Sequence, residues 1–185
     1  MSKSKLLYSR QEMLEENLRI LKKRGVDYRE IAKIAFDQQS KYSDTINFED
    51  CEDSVLKILS LRDVFHILLL GAEIDRLTEE EKFEGPIQNI LAHDLGVFGI
   101  DEILGLAVAG LFGVIGQTNF GDIDVNKPGI IKELNDHGSG ENRVCHTMLD
   151  DIVGAIAAAA STRVAQMSME EAAHKDLSVT QEKLF

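Results

Sequence analysis

Three acidic clusters stand in the C-terminal half of this chain: Asp101 with Glu102, Asp122 with Asp124, and Asp150 with Asp151. Asp101-Glu102 runs straight into Ile103-Leu104-Gly105, and Asp150-Asp151 into Ile152-Val153-Gly154. A helix start has a use for an acidic residue, which complements the macrodipole for about 0.3–1 kcal/mol. Thr147 with Asp150 also spells a capping box. Two adjacent acidic residues leading into an apolar run ask for more. Neighbours on a helix lie about 100° apart, so one of each pair is expected to turn inward, where a carboxylate must be paired or metal-bound. Several carboxylates meeting in one place repel one another unless a hard cation such as Mg²⁺ neutralises them.

Between these pairs, residues 117–127 read as a polar loop carrying Asn119, Asp122, Asp124, Asn126 and Lys127. Asp122, Asp124, Asn126 and Glu133 match four ligand positions of a calcium EF-hand, but Lys127 and then Pro128 stand where its glycine turn is required. Asp122-Ile-Asp124-Val is also similar to the aspartyl-phosphatase signature, yet no buried strand precedes it and Asn126 replaces its Thr or Val. Pro128 is suited to the first position of a short helix, which would leave Lys127 exposed at its mouth. Asp136-His137-Gly138-Ser139-Gly140-Glu141-Asn142 is a polar, glycine-containing segment. It reads equally as a loop closing over a phosphate and as a solvated connector. His146 sits just before Asp150, whereas His66, His93 and His174 read as packing or surface residues. No nucleophile elbow, Walker loop or dinucleotide fingerprint occurs.

The elements that must position these groups read as helices throughout. Ser9 with Glu12, Asp27 with Glu30, Ser60 with Asp63, Thr78 with Glu81 and Ser168 with Glu171 each give a helix-start signal. Leu14, Leu18 and Leu21 fall on one face before Gly25, a C-cap. A helical stretch from about Phe48 to Leu77 carries a break at Ser60. Alternating strand patterns with hairpin turns are missing, so the expected fold is all-α, a compact multihelical bundle. Residues 1–70 contain one glycine and the remaining 13 follow from Gly71 onward. The first part therefore reads as amphipathic packing helices, and the second as small-residue helices that approach closely around a rigid site.

The 185 residues suffice for a single domain with its own core. A net charge of −12 argues against nucleic acid and against electrostatic docking on an anionic membrane. Cys51 and Cys145 lie far apart and read as reduced thiols in a cytoplasmic setting. The N-terminus lacks an apolar signal region. The most apolar stretch, Ile103 to Gly116, has 14 residues against the roughly 20 needed to span a bilayer, and reads as a buried helix. With Ile152–Ala160 it is apolar nearly all round. Two such helices strain the interior of one small bundle, and a homodimer is the expected solution.

The ordered set Gly-Ile-Asp101-Glu102-Ile-Leu-Gly105, Phe120-x-x-x-Asp124-x-x-Lys127-Pro128, His137-Gly138 and Asp150-Asp151-Ile-Val-Gly resembles the phosphatidylglycerophosphatase A family. The resemblance makes residues 96–168 a family-like core behind an amphipathic part, 1–95, within a single helical domain. It implies a Mg²⁺-dependent phosphatase acting on a phosphomonoester or phospholipid phosphate, with phosphatidylglycerophosphate as the family's substrate. Asp101, Glu102, Asp124, Asp150 and Asp151 then fall on metal-binding positions. Lys127 faces the phosphate, and His137 or His146 protonates the leaving alkoxide. The chain departs from the membrane-bound members in lacking their transmembrane helices and Gly/Pro-rich opening motif, and in extra residues Glu141 to Cys145. It resembles a soluble branch, which leaves peripheral membrane contact open. A non-catalytic protein that keeps the core as a metal- or phosphate-binding module stands as the alternative, and a purely structural bundle as a third reading.

Overall fold

The computed structural model describes residues 7–94, 99–136 and 144–182. The architecture is all-α, with nine α-helices, one 3-10 turn and no strand among the described residues. In chain order these are α1 (Arg10–Lys23), α2 (Tyr28–Gln39), α3 (Phe48–Leu59), α4 (Arg62–Glu79) and α5 (Pro86–Ala92). They are followed by α6 (Ile100–Ala109), a 3-10 turn (Gly110–Phe112), α7 (Gly113–Asn126), α8 (Ile130–Asn135) and α9 (Leu149–Glu182).

The first two helices keep their expected start signals, and α1 its stop. Ser9–Glu12 and Asp27–Glu30 both form reciprocal capping boxes. Gly25, at φ +81°, closes α1: its N–H donates to Lys22 and that of Val26 to Leu21, the two bonds of a Schellman turn. The chain breaks at Ser60 as expected, although Leu61 is the N-cap of α4 and Ser60 donates back to the Lys57 carbonyl.

Three other start signals are not used, in one case because a Ser or Thr inside a helix can satisfy its hydroxyl on an earlier carbonyl and let the helix run on. Thr78 lies within α4 and donates to Ile74 O. Ser168 lies inside the long α9. Thr147 donates to Leu91 O rather than capping α9.

α9 is the central post. Ile152, Val153 and every residue from Ala155 to Ser161 are fully buried, because α2, α3, α4, α6, α7 and α8 all pack around this helix. Its alanines and Gly154 let those neighbours approach closely. A Cβ at 154 would lie 3.3 Å from Ile123 and 3.6 Å from both Ile131 and Phe120.

The other apolar stretch behaves differently from expectation. Residues 117–127 are the last turns of α7 and its cap, not a loop. The chain turns back at Gly113, at φ +73°, so that Gly105 of α6 lies against the Phe120 ring of α7 and Gly110 against Gln117. α6 and α7 are thus an antiparallel hairpin laid on α9. The expected buried helix has an open outer face: Ile100, Ile103, Leu111, Val114 and Ile115 are exposed, Val114 at 75%. Taken together, Ile100–Asn126 is long and apolar enough to cross a membrane by length and composition, with 28% of its most apolar window buried. As folded, it reverses at Gly113 and is not one straight span.

Candidate functional site

The open end of the hairpin, where α7 ends and α9 begins, gathers most of the carboxylates singled out above. Lys127 is the pivot. It caps α7 in the left-handed region, φ 42° and ψ 58°, and donates its N–H to Ile123 O at 2.8 Å. A non-glycine residue adopts this conformation at some cost. The ammonium lies back over the last turn of α7 onto Asp124 Oδ1 at 2.5 Å. It also reaches across to Asp150 Oδ2 at 3.2 Å and Asp151 Oδ1 at 3.3 Å. Lys127 is therefore half-buried and ion-paired, not an exposed residue at the mouth of a helix. The helix after it, α8, begins at Ile130, not at Pro128.

Asp150 and Asp151 occupy the first turn of α9 and are both buried. Burial is the largest influence on each and raises both carboxyls above their ordinary range, Asp150 to about 6. Lys127 offsets part of that cost, whereas the charge of Asp150 pushes Asp151 further up. Burial works against the ammonium as well, but Asp150, Asp124 and Asp151 hold Lys127 above the usual lysine range. Three carboxylates around one ammonium leave an excess of two negative charges when all are ionised.

The two members of the Asp101–Glu102 pair divide their roles. Glu102 accepts the Gly99 N–H at 2.9 Å and is the helix-start residue. Asp101 turns inward and is buried, and its Oδ1 has no hydrogen-bond partner among the described residues. The rotamer depends on glycine at 99, where a Cβ would overlap Asp101 Oδ1. Burial chiefly raises the Asp101 carboxyl, and the charge of Asp94 adds to the shift. Asp94 raises Asp150 too, so this residue lies close to both parts of the site. Sequence reasoning missed it. It follows α5 in the left-handed region, φ 48°, and nothing in its local pattern distinguishes it from a loop aspartate.

Asp122 faces away from this cluster, accepting from Asn126 at 2.9 Å and Gln38 at 3.4 Å. His146 is buried, with Nδ1 3.1 Å from Leu134 O. His137 lies outside the described residues.

A second missed residue shares the capping of α9 with Asp150, whose Oδ1 accepts the Asp151 N–H at 2.9 Å. Asp75 of α4, fully buried, accepts the N–H of Met148 at 3.0 Å and of Leu149 at 3.1 Å. Burial, the largest influence, raises its carboxyl to about 7 against the opposing pull of those N–H donors and Arg24. The first turn of α9 is thus capped from another helix, 73 residues away in sequence.

The donor chemistry suits a hard divalent cation. Its atoms are carboxylate oxygens, they outnumber the ammonium, and Asp101 Oδ1 is a buried acceptor without a donor. Among the described residues no three His, Cys, Asp or Glu side chains form a ready ligand set. The point on which three carboxylates do converge is the Lys127 ammonium itself.

Comparison with known proteins gives the geometry its context. The chain is 45% identical over 145 residues to the Bacillus subtilis (strain 168) protein YutG, covering 78% of this chain and 86% of that protein. It superposes on the crystal structure of YpjQ from Bacillus subtilis with a TM-score of 0.81 at 39% identity, over 88% of this chain and 99% of that one. The low temperature requirement C protein of Listeria monocytogenes gives a TM-score of 0.80 at 39% identity, over 85% and 97% of the respective chains. The sequence model for phosphatidylglycerophosphatase A matches residues 45–166, a span that holds the whole cluster from Asp75 to Asp151. The chain belongs to the phosphatidylglycerophosphatase A family.

Proposed function

We propose that this protein is a Mg²⁺-dependent phosphomonoester hydrolase that removes the terminal phosphate of phosphatidylglycerophosphate. The observation that carries the reading is the convergence of Asp124, Asp150 and Asp151 on Lys127, with the buried, unpartnered Asp101 Oδ1 as further support. In this reading Asp101, Asp124, Asp150 and Asp151 hold the cation, and Glu102 orients the start of α6. A bound divalent cation would neutralise phosphate oxygens and lower the pKa of a water molecule. Lys127 exchanges part of its carboxylate contact for a phosphate oxygen, acting as a point charge. Water attacks phosphorus, the bond to the glycerol oxygen breaks, and the alkoxide takes a proton from His146 or His137. Such a reaction depends on positioning and charge neutralisation more than on covalent chemistry by the protein.

The test is inorganic phosphate release from phosphatidylglycerophosphate in detergent micelles and from glycerol phosphate, with Mg²⁺ and with chelator. Mg²⁺-dependent release that favours the lipid is the expected result. No release from either substrate would remove the enzymatic reading.

One observation favours the alternative, a non-catalytic metal- or phosphate-binding module: Lys127 already partly neutralises the cluster internally. Stabilisation by Mg²⁺ or phosphate without turnover would select it. A cytoplasmic location and a homodimer complete the proposal. The dimer is supported by the uncovered apolar face of the α6–α7 hairpin, and lipid contact by that same face is its competitor.

A further inference from the structure

We infer that Asp75 is a positioning residue for the site, setting the direction of Asp150 and Asp151 through the backbone N–H groups at the start of α9. The inference rests on the functional reading above, since it assigns Asp75 a role in holding that reading's acidic pair.

The first turn of a helix has N–H groups with no intrahelical acceptor, and the usual remedy is a local Ser, Thr, Asp or Asn. Thr147 is available, yet its hydroxyl donates to Leu91 O at 2.8 Å. Asp75 instead uses one carboxylate oxygen for each of the Met148 and Leu149 N–H groups. Asp150, next along the chain, then spends only its Oδ1 on a backbone N–H, that of Asp151 at 2.9 Å, and keeps Oδ2 for the site. Asp150 Oδ2 and Asp151 Oδ1 reach Lys127.

The rest of the α4 surface locks the same segment. Glu79, one turn after Asp75, accepts the Cys145 N–H at 2.9 Å. Arg24 pairs with Glu79 at 2.9 Å and donates to the Cys145 carbonyl at 2.7 Å. Gly71, one turn before Asp75, permits close approach, since a Cβ there would overlap Ile152 Cδ1 and lie 3.2 Å from Met148 Cβ. Gly71, Asp75 and Glu79 follow one another at four-residue spacing on one face of α4. Arg24 lies outside the span matched by the family, 45–166, so α1 also contributes to holding the acidic pair.

Asp75 and Asp150 repel each other as charges, but the hydrogen bonds of Asp75 go to the Met148 and Leu149 N–H groups, so its positioning effect passes through the α9 backbone. A shift in that first turn carries both aspartates with it. Displacements of this kind are costly in sites that depend on fixed geometry.

The experiment compares wild type, Asp75→Asn and Val55→Ala, in the full chain at a temperature well below every Tm. Asparagine keeps one acceptor but turns an NH₂ donor toward a backbone N–H. Val55→Ala, in the α3 core, supplies a control for general loss of stability. Three quantities are read: the Mg²⁺ concentration giving half of the maximal Tm gain, kcat and KM for phosphate release, and amide hydrogen exchange over 145–152.

Asp75→Asn is expected to raise the half-saturating Mg²⁺ about tenfold and lower kcat about tenfold with KM within about twofold. Exchange at 148 and 149 should quicken while the interior of α9 stays protected, and Val55→Ala should leave the Mg²⁺ requirement and kcat near wild type. Should Asp75→Asn match wild type in Mg²⁺ requirement and kcat, or match Val55→Ala, the positioning role is overturned. A wild type that neither responds to Mg²⁺ nor releases phosphate defeats the functional reading instead. Exchange then decides alone: faster exchange confined to 148–151 upholds Asp75 as the device that fixes this turn, and unchanged exchange rejects it.

Discussion

Lys127 carries more of the local electrostatics than its position in the chain suggests. With Lys127→Ala, Asp124, Asp150 and Asp151 lose their shared cation, and the two buried ones have no replacement. A surface lysine would cost well under 1 kcal/mol; this one, about one-quarter exposed, should cost about 1–3 kcal/mol in chelator at pH 8. The pH dependence follows from the raised carboxyls. Asp150 has an ordinary carboxylate pKa when unfolded and about 6 when folded, so the folded state binds its proton more tightly. That contribution to stability is complete below pH ~4 and is lost as pH rises through about 6. Asp151 shifts in the same direction. The deficit of Lys127→Ala should therefore shrink toward pH 5, where the carboxyls regain protons, and Mg²⁺ should partly restore Tm at pH 8. Thermal melts across pH 5–8, with and without Mg²⁺, check both signs. An equal deficit at both ends of the range would contradict the charge balance described here. Phosphate release by this variant should fall at least about 100-fold.

Among the elements, the α6–α7 hairpin links the apolar tip to the acidic end, and its closeness depends on glycine. A Cβ at 105 would press into the Phe120 ring, with three ring atoms at 3.1 Å or less. Phe120 is buried against the core and cannot swing out freely. Gly105→Ala gains helix propensity of about 0.8–1 kcal/mol, but overpacking of a filled core costs about 1–3 kcal/mol. The expected net effect is destabilisation of up to about 2 kcal/mol, read by urea unfolding. Increased stability would show that the hairpin opens easily. The same element marks where local patterns misled. Asp122, Asp124 and Asn126 have loop-like composition, yet α7 continues through them because Ile123 and Phe120 reach α9's neighbourhood and are buried. Tertiary burial overrides weak helix propensity.

For the whole molecule, the uncovered face of that hairpin is where the proposed dimer would form. Ile103 of α6, Leu111 of the 3-10 turn and Val114 and Ile115 of α7 are all exposed, and exposed apolar patches mark interaction sites. Light scattering coupled to gel filtration should give twice the 20.6 kDa chain mass at micromolar concentration. Val114→Glu, placing charge at a position 75% exposed, should give the single mass without loss of Tm beyond the loss of association. A wild-type monomer would overturn the dimer.

Much of this was present in the sequence by itself. The all-α class follows from helical periodicity and the absence of strand patterns, and two capping boxes and the Gly25 turn were local enough to read directly. The Asp101–Glu102 and Asp150–Asp151 pairs announced themselves because charge beside an apolar run is costly anywhere in a fold, whereas Lys127 stood out through the family resemblance. Tertiary structure alone decided which carboxylates meet. It separated Asp101 from its neighbour Glu102, turned Asp122 away, and brought in Asp94 and Asp75 from positions with no local signal. The physical reason is range. Capping and periodicity act over three or four residues, whereas the bond from Asp75 to Met148 joins residues 73 apart and exists only once α4 has packed against α9.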